Sequence, residues 1–172
     1  MKLILGLLCF SITATTLFAQ SKKDKLISDS KEAKAEFIKT DAKMANLFGK
    51  AYGYVILPNV GKGAIGVGGA TGNGIAYERG KIVGTAKMTQ VSIGFQLGGQ
   101  AYREVIFFEA KKDLDRFKEN RVEFTAQVSA VAAASGASAN AKYVDGVMVF
   151  TMQKGGLMYE ASVGGQKFKY EK

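Results

Sequence analysis

Two hydrophobic periodicities divide the chain. Between residues 21 and 48, Leu26, Ile27, Ala33, Phe37, Ile38, Met44, Ala45 and Phe48 fall on one stripe at ~100° per residue, the spacing of an amphipathic helix. Lys31, Lys34, Lys39 and Lys43 lie mostly off that stripe. Ser21-Lys22-Lys23-Asp24 has the Ser/Thr-x-x-Asp/Glu spacing of a helix start, and Gly49 fits a C-terminal stop. After Gly49 the pattern changes to short alternating runs punctuated by glycine, the signature of strands. These runs predict strands at 51–57 (ending at Pro58), 63–70, 73–78, 82–88, 91–97 and 100–109. A turn is expected near Thr71-Gly72 and another at Glu78-Arg79-Gly80-Lys81. Residues 110–120 read as a short helix, with Leu114 and Phe117 three apart. Residues 123–134 are assigned to a strand, and 135–141 to a small-residue loop. Residues 144–153 and 157–163 read as a hairpin turning at Lys154-Gly155-Gly156, with a last strand at 166–170.

The expected fold class is α+β. Repeated glycines in successive strands predict a glycine-rich, strongly curved, mainly antiparallel sheet, curved enough to be barrel-like. An N-terminal amphipathic helix and a short second helix flank it.

Residues 1–19 fit neither periodicity. Lys2 precedes an apolar run from Leu3 that continues to Phe18, and Leu17-Phe18-Ala19 ends in a small residue. This reads as a signal peptide cleaved after Ala19, so the protein is expected to be exported, periplasmic or secreted. A single domain over residues 20–172 would follow, ~150 residues and long enough for a real core. Cys9 is the only cysteine and lies inside the apolar run, so the mature chain would have no disulfide.

Composition narrows the chemistry. The chain has no histidine and no tryptophan. Without histidine or a mature cysteine, the usual nucleophile–base pairs and common zinc sites are absent, and neither catalysis nor a cofactor is expected. Carboxylates offer no evident pair: Asp113 and Asp115 are two apart on a helix and point to different faces. Gly61-Lys62-Gly63-Ala64-Ile65-Gly66 matches G-x-G-x-x-G, but Ile65, Val67 and Ala70 continue in strand-like alternation where a dinucleotide site needs a helix. The glycines are therefore read as architectural, with Lys62 kept as a candidate anion contact. The formal charge of +9 favours anionic partners. Lys167-Phe168-Lys169-Tyr170 has interleaved aromatics, but alternation puts both lysines on one face of an edge strand, so no nucleic-acid role is assigned.

Four blocks in order resemble the SYLF domain, a lipid-binding family that also has actin-binding members in yeast. Tyr54-Val55-Ile56-Leu57-Pro58-Asn59-Val60-Gly61-Lys62-Gly63 is similar to its opening. Gly68-Gly69-Ala70-Thr71-Gly72-Asn73-Gly74 is similar to its Gly-Gly-x-x-Gly-x-Gly signature. Ser92-Ile93-Gly94-Phe95-Gln96-Leu97-Gly98 follows its Ser-x-Gly-x-Gln-x-Gly block, with Ile93 where the family often has Trp. Lys154-Gly155-Gly156-Leu157-Met158, then Gly165 and Lys167, is similar to its closing pattern. Together the blocks cover most of residues 22–170. The resemblance implies a non-enzymatic single domain that binds anionic, phosphoinositide-like phospholipids reversibly at a peripheral membrane surface. The candidate lipid contacts are Lys22, Lys23, Lys25 and Lys62 for charge, and Leu26, Ile27, Phe37, Ile38, Met44 and Phe48 for apolar insertion. The rival reading is an exported protein-interaction or envelope scaffold module without lipid affinity, its helix serving only as core.

Overall fold

A computed structural model describes residues 2–65, 67–92, 100–122, 130–154 and 165–172, with side chains described over 20–61, 69–90, 101–122, 130–154 and 165–172. Helix α1 spans Lys2–Thr40, α2 spans Met44–Lys50 and α3 spans Lys111–Lys118. The strands are β1 (Gly53–Ile65), β2 (Val67–Glu78), β3 (Lys81–Ser92), β4 (Gln100–Phe108), β5 (Ala130–Ala132), β6 (Val147–Gln153) and β7 (Gln166–Glu171). They form one sheet in the order β5-β6-β4-β1-β2-β3-β7. Every neighbouring pair is antiparallel except β5–β6.

The α+β class and the curvature are as the glycines indicate, but the sheet is not closed into a barrel: among the described residues β5 and β7 are its edges. It still curls far enough for side chains to bridge non-neighbouring strands. Gln166 of β7 donates through Nε2 to the Glu104 carboxylate of β4 (2.9 Å), although β1, β2 and β3 lie between them in the sheet.

Glycine makes that curvature sterically accessible. A Cβ on Gly74 would stand 2.5 Å from the carbonyl oxygen of Ile56, and one on Gly84 would strike the carbonyl oxygen of Glu171. Adjacent backbones thus approach more closely than any side chain allows. The strand continuing through residues 61–65 pairs with β2 down to Ile65↔Val67, so a hairpin follows the G-x-G-x-x-G match and no helix does. The turn expected at Thr71-Gly72 is instead strand: Thr71 and Gly72 pair with both β1 and β3. Pro58 does not end β1 either. The register shifts between Ile56 and Asn59, and this bulge accommodates a residue without an N–H. At Arg79 (φ 47°) and Gly80 (φ 78°) two positive φ angles close the β2–β3 hairpin where the sequence indicates it. The hairpin turn at residues 154–156 and the strand at 157–163 fall largely outside the described residues.

Both faces of the central strands are buried, which is why Tyr54-Val55-Ile56-Leu57 and Val105-Ile106-Phe107-Phe108 are continuously apolar. Val55, Leu57, Ile106 and Phe108 line the concave side, capped by Leu114 and Phe117 of α3 and by Phe168. Tyr54, Ile56, Tyr77, Val105 and Phe107 face the other way, under Ala33, Phe37, Met44 and Phe48.

Two features of the N-terminal region differ from the expected single helix over 21–48. Backbone helix already runs through residues 2–20, so Ser21 is not a start; Asp24 instead accepts a hydrogen bond from Gln20 (2.9 Å). The helix also breaks at residues 41–43. There the Asp41 carboxylate accepts the Lys43 N–H (3.1 Å) and the Ser138 N–H (2.8 Å), and α2 begins at Met44. An aspartate that offers its own acceptor to nearby amides competes with helix continuation.

Candidate functional site

The candidate lipid contacts divide into two groups. Phe37, Met44 and Phe48 are buried, and Leu26, Ile27 and Ile38 are half-buried against the same apolar cluster. Most of the stripe therefore packs on the sheet, with Ala45 left exposed and Leu26 at the edge of the packed surface. Its docking is reinforced by polar contacts. The Ser30 hydroxyl and Tyr77 hydroxyl are 3.0 Å apart, and Lys34 donates to the Tyr54 hydroxyl (3.2 Å). The Lys34 ammonium also sits 4.7 Å from the centroid of the Phe48 ring, and burial lowers its pKa. Arg103 of β4 pairs with Glu32 at 3.2 Å. At the end of the layer, hydrogen bonds from Ser138 hold the Asp41 carboxyl below the usual aspartate range.

Lys22, Lys23 and Lys25 behave differently. All three are exposed on α1, and together with Leu26 they line a groove of about 430 Å³ between the helix and the sheet. The opposite wall comes from a cross-strand row that the sequence reading missed. Asn73 of β2 stands opposite Lys87 of β3, and Lys87 opposite Lys169 of β7; Thr85 and Glu171 form the adjoining pair. The signal for this wall was present as alternation: Ala86, Met88 and Phe168 point inward, so Lys87 and Lys169 point outward. Only the β3–β7 pairing makes them neighbours.

The groove holds five lysines against two carboxylates, Asp29 and Glu171. Each carboxylate is paired on its own wall, Asp29 with Lys25 (3.1 Å) and Glu171 with Lys169 (2.8 Å). The Lys169 hydrogen bond, followed by its charge, lowers the Glu171 pKa, and Lys87 adds a smaller share. The resulting excess of positive charge in a concave space attracts anions.

Lys62 lies within β1, paired through the backbone with Ala70 and Gln100 rather than just past a strand end; its side chain is outside the described residues. Asp113 and Asp115 do point apart. Asp113 is buried and accepts the Ala110 N–H at the start of α3 (3.1 Å), and Asp115 pairs with Lys111 (2.6 Å). Among the described residues no group of three or more His, Cys, Asp or Glu could hold a metal ion. No helix among them is long and apolar enough to cross a membrane.

Comparison with known proteins adds two findings. Residues 89–172 match the Ysc84 family model, described as Las17-binding protein actin regulator. Beta cell expansion factor A of Aeromonas veronii is 32% identical over 127 residues, which cover 73% of this chain and 48% of that protein. The chain thus spans about half the length of the curated relative it matches.

Proposed function

The chain belongs to the SYLF family, and from that premise we propose that it is a non-enzymatic, exported protein that associates reversibly with anionic phospholipid surfaces. The observation that carries this reading is the groove where Lys22, Lys23 and Lys25 meet Lys87 and Lys169 with only two carboxylates beside them. Attraction at such a surface is electrostatic, worth ~1 kcal/mol per lysine near an anionic membrane and screened within a Debye length of ~10 Å at 0.1 M salt. The apolar stripe contributes to the fold, so insertion is not needed to explain binding. The test is sedimentation of residues 20–172, the chain expected after cleavage, with phosphatidylcholine and phosphatidylglycerol vesicles. Pelleting with phosphatidylglycerol alone, lost at high salt, is expected; salt-insensitive pelleting, or none, overturns the reading.

Burial of that same stripe favours a second reading, a protein-interaction module. The matched family's description names a Las17-binding protein, which gives the class a precedent. Recovery of a stoichiometric protein partner by a chain that ignores every vesicle would select it.

A further inference from the structure

The groove is assembled from two elements that nothing in the local sequence holds together. Its first wall is the exposed part of α1, with Lys22, Lys23 and Lys25. Its second is the row Asn73–Lys87–Lys169 across β2, β3 and β7. Both ion pairs in the groove are internal to one wall: Lys25–Asp29 lies within α1 and Lys169–Glu171 within β7. Further along, a pair does cross from helix to sheet, where Glu32 meets Arg103. At the groove itself, docking of α1 brings like charges face to face, which opposes docking. An anion bound between the walls reverses that sign.

We propose that the groove is a two-walled site for the phosphate group of an anionic lipid, and that the bound phosphate clamps α1 onto the sheet. This rests on the membrane reading above and specifies how that binding works. The α1 lysines and the sheet lysines hold the phosphate from opposite sides, with the Asn73 amide as a neighbouring donor. Because the site exists only while α1 is docked, binding and docking strengthen one another. The lipid therefore does not draw the apolar stripe out of the core. Phe37, Met44 and Phe48 stay buried while the protein is on the membrane.

Hydrogen exchange on residues 20–172 tests this, with phosphatidylglycerol vesicles, phosphatidylcholine vesicles or inorganic phosphate alone. Slower exchange in residues 22–30, 85–88 and 167–171 with phosphatidylglycerol only is the expected result. Faster exchange in residues 22–40 on the same vesicles means the helix leaves the sheet; that sinks the clamp and leaves membrane binding intact. Equal protection by inorganic phosphate alone rejects the lipid as the source. In parallel, Lys87→Gln and Lys169→Gln each weaken phosphatidylglycerol binding about fivefold. Both are exposed strand positions, so thermal stability serves as the control for folding. Unchanged affinity in both, with loss in Lys22→Gln and Lys23→Gln, removes the sheet wall from the site. No pelleting by the unaltered chain rejects the membrane reading itself, and the clamp with it.

Discussion

Residues 20–29 and residues 30–48 share one amphipathic pattern, yet they meet their surroundings in opposite ways. In the first stretch residues 20–25 are exposed, and its lysines edge a groove. In the second, Ser30, Ala33, Phe37, Asp41, Met44 and Phe48 are all buried against the sheet. The difference comes from what lies underneath. Beneath the later residues the sheet presents Tyr54, Tyr77, Phe107 and Phe150, an apolar floor that accepts a helix. Beneath the earlier ones it presents Asn73, Lys87 and Lys169, a polar floor that leaves a gap. A hydrophobic stripe on a helix therefore reports where a partner surface is needed, not whether that surface is membrane or protein. Here the protein supplies it, and deletion of residues 20–48 would remove core rather than isolate a membrane anchor.

The largest effect is expected from damage to the buried part alone. Phe37 is fully buried, so Phe37→Ala should destabilise the fold by about 3–5 kcal/mol, through lost transfer free energy and a cavity. Denaturant unfolding measures this. The fraction that remains folded should still bind phosphatidylglycerol vesicles with unaltered affinity; a matching loss of affinity would show that the stripe touches lipid.

Asp41 gives a smaller effect with a pH signature. Its carboxylate satisfies the Ser138 and Lys43 N–H groups, and Asp41→Ala leaves those donors unpaired at a cost of about 1–3 kcal/mol. Its folded pKa is depressed by the Ser138 hydrogen bonds. The stabilisation is therefore complete above the unfolded value and is lost as pH falls through the folded one, below about pH 4. Thermal melts from pH 7 to pH 2 should show the variant closing its gap to the parent as the pH drops. A gap constant down to pH 2 would mean Asp41 acts without its charge.

The fold class, the antiparallel curved sheet and the short helix near residue 111 were legible because glycine punctuation and period-2 alternation are local signals. The break at Asp41 was not, since one of the two amides its carboxylate accepts belongs to Ser138, far away in sequence. The Thr71-Gly72 turn was misplaced because glycine marks both turns and close backbone approach, and only the partner strand decides which. Pro58 misled in the same way: a bulge let β1 continue where proline normally stops a strand. For the groove, Lys22, Lys23 and Lys25 were legible as exposed cations on a helix. Lys87 and Lys169 were each legible as outward strand positions. Their meeting was not, because it depends on β7 pairing with β3 from the far end of the chain.

The smallest expected effect on stability falls on the exposed stretch. Lys22→Gln and Lys23→Gln alter exposed side chains on α1 that lie outside the apolar clusters. Surface changes of that kind stay within about 0.5 kcal/mol in stability. Their effect on membrane binding should be larger, about fivefold each in low salt. In high salt parent and variants should converge, because screening removes the attraction in all of them. Vesicle titration at two salt concentrations, beside a melt of the same samples, separates the two quantities. A variant that melts early but binds normally would place these lysines with the buried stretch. One that melts normally and loses salt-sensitive binding would confirm that a single helix changes role within a few residues, at the point where the sheet beneath it turns from apolar to charged.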